Sequence, residues 1–410
     1  MAFWICALAV VSADVHPEPR YIFINKAPGI EWSQNHPESF TVAGFREIVD
    51  TIAAPENPRL RIGVTFTFST LESLPDVLAA SLRNLLAASE ESGVPVMVGF
   101  DGQNWWGARP DLWNWWDPYA PGYSPDNANN VEWTNWSPAS AVKIGWRNWG
   151  SQIRVHPQPN LASLKVIEAH IEPLKLLVPI VLDWYRRLPE ERKYLLGGLK
   201  VGHEAGIGYN AFHYPDGNRY LEDFPDDVSH DPRTGLRLDA GLAGGVAQLG
   251  YAAVKTAGIK DSGVITRDDL TEVTRRYLAA LAKTVYDLGV PRPLIYTHQG
   301  GTYPPWGLHY PFRAAINEWS TPGWSLYGLD PETCEGLAED LDQDGRDQWA
   351  AVEWWWGAPD VAGWRDHLAR TLRFRDCRFV AVFNWHCGFK LKEDLAAHEA
   401  IHQLVAEWRD

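Results

Sequence analysis

Positive charge is in short supply in this chain: 37 lysines and arginines stand against 52 aspartates and glutamates, a formal net charge of −15. Such a balance has nothing to offset repulsion from a phosphate backbone or an anionic bilayer, so neither nucleic acid nor a membrane is expected as partner. Long hydrophobic runs are missing as well. No apolar stretch approaches the roughly 18 to 20 residues of a membrane span. Cysteine is scarce, with four copies and no C-x-x-C spacing, which leaves no zinc or dithiol motif. Cys6 lies in an N-terminal apolar segment, and Cys334, Cys377 and Cys387 remain, an odd set that allows at most one disulfide. No internal repeat of fixed period is found, no G-x-G-x-x-G follows an apolar run and no P-loop occurs, which removes solenoids and the common nucleotide cradles.

Tryptophan, by contrast, is abundant, with 22 copies gathered in "NWWGARPDLWNWWDP", "EWTNWSP", "IGWRNWG" and "EWWWG". About half can serve as core filler. Clusters set among Gly, Pro and Asn are harder to bury and suit a site that stacks flat ligands, of which sugar rings are the commonest polar example. The opening "MAFWICALAVVSA", residues 1 to 13, has an apolar segment and a small-residue end but lacks the positive start of an export signal. Export is the expectation, to a secreted or periplasmic location. An ordinary buried segment of a cytoplasmic protein is the alternative.

Apolar or β-branched runs at 21 to 26, 61 to 70, 94 to 102, 195 to 204, 293 to 300, 314 to 320, 350 to 356 and 379 to 386 alternate with helical stretches. Thr266 with Asp269 reads as a near capping box at the head of one of these helices. Helices after the fifth and sixth runs are short or unclear. Eight such units close most naturally into a (β/α)8 TIM barrel, expected to occupy residues 14 to 410 as one domain with long loops after strands 3 and 4.

Barrel enzymes gather reactive groups at the C-terminal ends of their strands. Those ends offer Asp101 with Asn104, His203 with Glu204, His298 with Gln299, Asn317 with Glu318, Glu353, and Asn384 with Trp385 and His386. Trp105, Trp106 and Trp354 adjoin them. Alternation places Lys200 and Glu204 on one side of strand 4, and Ala351 and Glu353 together on strand 7. Each residue also has a plain structural reading: Glu353 paired with an inward Lys200, Asp101 as a turn cap before Gly102, His203 and His298 as satisfied core histidines.

A barrel with Glu ending strands 4 and 7, here "KVGHEAG" and "AAVEWWWG", resembles clan A of the glycoside hydrolases. The resemblance implies that Glu204 is acid/base and Glu353 nucleophile, acting on a carbohydrate with retention and no catalytic cofactor, and that Trp385 in "VFNWH" is the aromatic platform on strand 8. The clan usually has Asn before the strand-4 Glu, where this chain has His203, a feature similar to the β-mannanase branch. Asn317-Glu318 provides the Asn-Glu pair on the sixth run, so a shifted strand count would make Glu318 the acid.

Three further readings stay open. The barrel could bind sugar without catalysis, or invert with Asp101 or Glu318 in the pair. It could also be a metal-dependent hydrolase using Asp101, His203 and His298. Separately, Asp340, Asp342 and Asp344 followed by Gly345 match the start of a calcium loop, although Ala351 stands where the twelfth-position Glu is usual. A structural calcium there would brace the bottom of the barrel.

Overall fold

The computed structural model describes residues 19–29, 31–148, 152–213, 246–300 and 312–409. The expected export segment, 1 to 13, lies outside them. Eight parallel strands close into a barrel: β1 Arg20–Asn25, β2 Leu60–Ser69, β3 Val96–Asp101, β4 Leu196–Ala205, β5 Ile295–Gln299, β6 Gly323–Tyr327, β7 Gln348–Trp355 and β8 Asp376–Val382, with β8 pairing back onto β1. Outside it pack α1 Val42–Ile52, α2 Pro75–Ser92, α3 Leu164–Arg187, α4 Arg267–Asp287, α5 Leu337–Asp344, α6 Val361–Arg373 and α7 Leu395–Glu407. This is the (β/α)8 architecture expected from the sequence. Among the described residues, β5 is followed only by a single 3-10 turn, Phe312–Ala315.

Local chemistry sets the helix ends. Thr266 and Asp269 exchange side-chain and backbone bonds as the capping box that opens α4. The Asp360 carboxylate accepts the Gly363 N–H at the head of α6, and Gly93 closes α2 in the left-handed region at φ 72.

The sixth strand is not the 314 to 320 run but "GWSLY". Ala314 and Ala315 close the 3-10 turn. Asn317 then folds on itself, its Oδ1 accepting the Trp319 N–H at 2.9 Å while its Nδ2 donates to the Ala315 carbonyl and to Ser320 Oγ. Thr321 next pairs with the start of β5. Asn317 and the exposed Glu318 therefore sit at the N-terminal end of the barrel, opposite the strand ends that carry the other candidate residues, and Glu318 is not a candidate acid. Gly323 must open the strand, because a Cβ there would stand 2.5 Å from the Thr297 carbonyl and from Val352.

The lower barrel is filled by Tyr21, Phe23, Met97, Tyr296, Ala350, Val352, Phe379 and Ala381. Gly63 and Gly197 leave space for the Phe23 ring, and a Cβ on Gly197 would lie 2.1 Å from Phe23 Cζ. Gly197→Ala is accordingly expected to cost about 1 to 3 kcal/mol of stability. Thermal denaturation checks this, and a wild-type midpoint would contradict it.

Two long segments rise from the C-terminal face after β3 and β4. A hairpin of Gly145–Asn148 with Gln152–Val155 in the first pairs through Trp146 with Phe212 in the second, with N–H to carbonyl distances of 2.8 and 2.7 Å. Glu132 in the first segment is fully buried, and its carboxylate accepts the N–H groups of Gly250, Ala252 and Ala253 at the head of the short helix Tyr251–Thr256.

The stretch expected as a calcium loop is helix α5. Asp340 accepts the Arg313 N–H at 2.9 Å, Asp342 lies 2.9 Å from Arg375 and Asp344 3.4 Å from Arg346. Gly345 is the left-handed cap that ends the helix, at φ 66, rather than the turn of an ion-binding loop.

Candidate active site

Inward-facing residues at the tops of the strands bring one cluster together: Asp101 from β3, His203 and Glu204 from β4, His298 from β5, Ser325 and Tyr327 from β6, and Glu353 from β7. Simple alternation would put His203 and Glu204 on opposite faces. A register irregularity between Val201 and Ala205 removes that constraint, with Gly202 at φ 74 and Glu204 itself at φ 47. A non-glycine residue in the left-handed region costs on the order of 1 kcal/mol or more, a strain that concentrates at functional sites. Strand β7 has its own irregularity. Ala350 and Val352 fill the barrel and Ala351 packs outward against the helices, so Glu353 reaches the interior through a register shift, not by sharing a face with Ala351.

Glu204 and Glu353 are 5% and 3% exposed. The Tyr327 hydroxyl lies 3.4 Å from Glu204 Oε1 and makes a short hydrogen bond to Glu353 Oε2. The bonded oxygens, Glu204 Oε1 and Glu353 Oε2, are therefore no farther apart than two hydrogen bonds end to end, about 6 Å. Glu204 also accepts from Asn210 Nδ2 at 2.7 Å and from Ser325 Oγ at 3.1 Å, and Ser325 is 2.8 Å from His298 Nε2. Asn210 is held in turn by Arg147, whose Nε donates to the Asn210 carbonyl at 3.1 Å and whose guanidinium covers the Trp105 ring at 4.6 Å. The post-β3 segment thus positions a ligand of the β4 carboxylate. Beneath the pair, Lys200 Nζ is 3.9 Å from Glu353 Oε1, and His203 Nδ1 is 3.6 Å from the same oxygen.

Burial dominates the electrostatics. It pushes Glu353 up to about 7, helped by the negative charge of Glu204 and opposed by Lys200 and the Tyr327 bond. Burial raises Asp101 to about 6. It holds His203 and His298 well below their ordinary range, with the Lys200 charge acting in the same direction. Tyr327 is pushed well above the usual phenol value by burial and by both carboxylates, so it remains a donor.

The remaining sequence candidates divide clearly. Asp101 Oδ1 caps the turn, accepting the N–H groups of Gln103 and Asn104 at 2.9 and 3.2 Å, while Oδ2 is buried without a hydrogen-bond partner. Asn104 Nδ2 donates to the His203 carbonyl at 2.7 Å, tying β3 to β4. Trp105 is partly open at the mouth. Trp106 is core. Gln299 faces outward and accepts from Trp324 Nε1. His386 belongs to a separate group, 2.8 Å from Glu31, which also pairs with Lys26. Asn384 is buried, and its carbonyl accepts the Leu391 N–H. Trp385 is fully buried, with its backbone N–H on the Asn25 carbonyl, so it is not a platform. Phe383 lies nearer the cluster, its ring 5.4 Å from Tyr327 and 5.6 Å from Phe389, which in turn stacks on Trp355 at 4.1 Å. Trp354 packs on α6, bonded to Thr371 and against Trp364, and Trp356 stacks on His367 of the same helix.

Ser325 and Tyr327 were hidden by the misplaced sixth strand, although their two-residue spacing in "GWSLY" is the signal of one strand face. The chain matches no family model and no curated protein. Among solved structures it is similar to an endogalactoceramidase (12% identity over 96% of this chain and 75% of that one, TM-score 0.36) and a β-mannanase from Thermomonospora fusca (10%, 90% and 80%, 0.35). It is likewise similar to a morphinone reductase (11%, 88% and 82%, 0.40). Scores this low, spread over unrelated activities, carry nothing about the chemistry here, which has to be argued from the residues.

Proposed function

We propose that the chain hydrolyses glycosidic bonds with retention of configuration, Glu204 serving as acid/base and Glu353 as nucleophile. The carrying observation is the Tyr327 hydroxyl held between the two carboxylates. It keeps the nearest oxygens of the two groups within about 6 Å of each other, which supports retention, where the carboxyl groups stand roughly 5 to 5.5 Å apart, over inversion, where they stand roughly 6.5 to 9.5 Å apart.

The pair needs one proton between its members. Burial and the negative charge of Glu204 push Glu353 up to about 7, while Lys200 below it and the Tyr327 bond favour its ionised form. Retention requires Glu353 ionised and the proton on Glu204 once substrate is bound. Glu353 then attacks the anomeric carbon as the bond to the leaving oxygen breaks, and Glu204 delivers its proton to that oxygen. In the second half Glu204 takes a proton from water, which attacks the same carbon and releases Glu353. Trp105, Phe383 and the half-exposed Phe389 offer ring faces to the sugar.

A panel of chromogenic glycosides with the product anomer followed by NMR tests the proposal. Turnover with retained configuration is expected. Inversion would remove the nucleophile assignment, and no turnover together with measurable sugar binding would favour a binding barrel.

A further inference from the structure

Lys200 rises from the middle of β4 into the barrel and is 1% exposed. A lysine in that position is costly as filler, since an apolar side chain of similar volume would occupy the space without stripping water from an ammonium. The barrel nonetheless makes room for it. Gly99 on β3 has no side chain to compete, and a Cβ there would lie 3.0 Å from Lys200 Cε.

The polar groups around Lys200 come from β3, β4, β5 and β7. Glu353 on β7 is 3.9 Å from Nζ, while Asp101 on β3 and Glu204 at the end of β4 also act on it as negative charges. His203 presents Nδ1 at 3.4 Å, and that nitrogen must be the unprotonated one if it faces an ammonium. His298 on β5 is held neutral. Among the described residues Arg147 is also near the cluster, where it donates to the Asn210 and Asn104 carbonyls at the rim. Among the described residues Lys200 is thus the cation under the floor of the site, 3.9 Å from one carboxylate of the pair.

We propose that Lys200 is a positioning residue acting through Glu353: seated 3.9 Å beneath that carboxylate, its ammonium favours Glu353 as the ionised member of the pair. This rests on the reading of the pair given above, but it can be measured without turnover. The experiment compares wild type, Lys200→Met, Lys200→Gln and Lys200→Arg in two ways: the pH profile of kcat/KM on the best glycoside of the panel, and the titration of 13C-labelled glutamate carboxyls by NMR.

With the cation gone, the acid limb of the profile and the Glu353 carboxyl should move up by about 1 to 3 pH units, while Lys200→Arg should stay near wild type. Unchanged titration in a folded neutral variant, with activity lowered equally at every pH, would make Lys200 a space filler and overturn the proposal. Lys200→Gln gives the same readout should Lys200→Met fail to fold. If no glycoside is turned over, the function reading falls, yet the carboxyl titration still decides for or against Lys200.

Discussion

Glu353→Gln should bind sugar about as tightly as wild type and turn it over about 10^4-fold more slowly, since amide for carboxylate removes the nucleophile while preserving shape. Glu204→Gln should differ in kind. Its loss, about 10^2- to 10^4-fold, falls on substrates whose leaving group needs a proton. An aryl glycoside with an acidic phenol departs unaided, so that variant should form the glycosyl-enzyme quickly, release it slowly and show a burst. Small anions separate the roles further: azide added to Glu204→Ala should give a glycosyl azide of retained configuration, and added to Glu353→Ala the inverted one. Stopped-flow and NMR read both. Equal turnover in Glu353→Gln and wild type would sink the assignment, and a burst in Glu353→Gln instead of Glu204→Gln would exchange the two roles.

How much of this was legible in the sequence depends on whether a residue's environment is local. The helix ends are local, and Thr266 with Asp269 reads directly as the cap it forms. The strands carrying Asp101, Glu204, His298 and Glu353 were also legible, because apolar runs ending in polar groups mark barrel strands whatever surrounds them. Strand β6 was not. Its reason for starting at Gly323 is the Thr297 carbonyl and the Val352 side chain, both distant in sequence, and "AAINEWS" imitates a strand until Asn317 turns back on itself. The direction of Glu353 was right for the wrong cause, since alternation from Ala351 points outward and the irregularity in β7 restores it. Tryptophan was over-read for the same reason. Trp106, Trp354 and Trp385 look alike in sequence and are all core, and only packing separates them from Trp105 at the rim. The Asp-x-Asp-x-Asp-Gly run shows that a spacing admits two backbones, and α5 prevails because Asp340 and Asp342 find partners outside it in Arg313 and Arg375.

The largest effect on stability is expected far from the chemistry, at Glu132. Its carboxylate is fully buried and accepts three backbone N–H groups that no helical carbonyl can reach, those of Gly250, Ala252 and Ala253. Glu132→Ala leaves all three without that acceptor, each at about 1 to 3 kcal/mol, and with water entering part of the vacated space a loss toward the lower end of the sum, about 3 to 5 kcal/mol, is expected. For a chain of this length that corresponds to a fall in Tm of about 4 to 6 °C. Glu132→Gln keeps one accepting oxygen and should cost less.

The pH dependence separates the two. Burial pushes Glu132 up to about 8 against the pull of its N–H donors, so the folded chain holds this proton more tightly than the unfolded chain does. Its contribution is complete below about pH 4.5 and is lost as pH rises through 8. The penalty of Glu132→Gln should therefore shrink between pH 5 and 8.5, whereas Glu132→Ala should remain the less stable variant throughout. Because the segment anchored by Glu132 also carries the Trp146 bridge to Phe212 and the Arg147 bond to Asn210, loosening it should lower kcat/KM through a poorly held Glu204 before global unfolding begins. Calorimetry and initial rates on Glu132→Ala between 20 °C and its Tm check both statements, and a wild-type Tm in that variant would show that water satisfies the three donors.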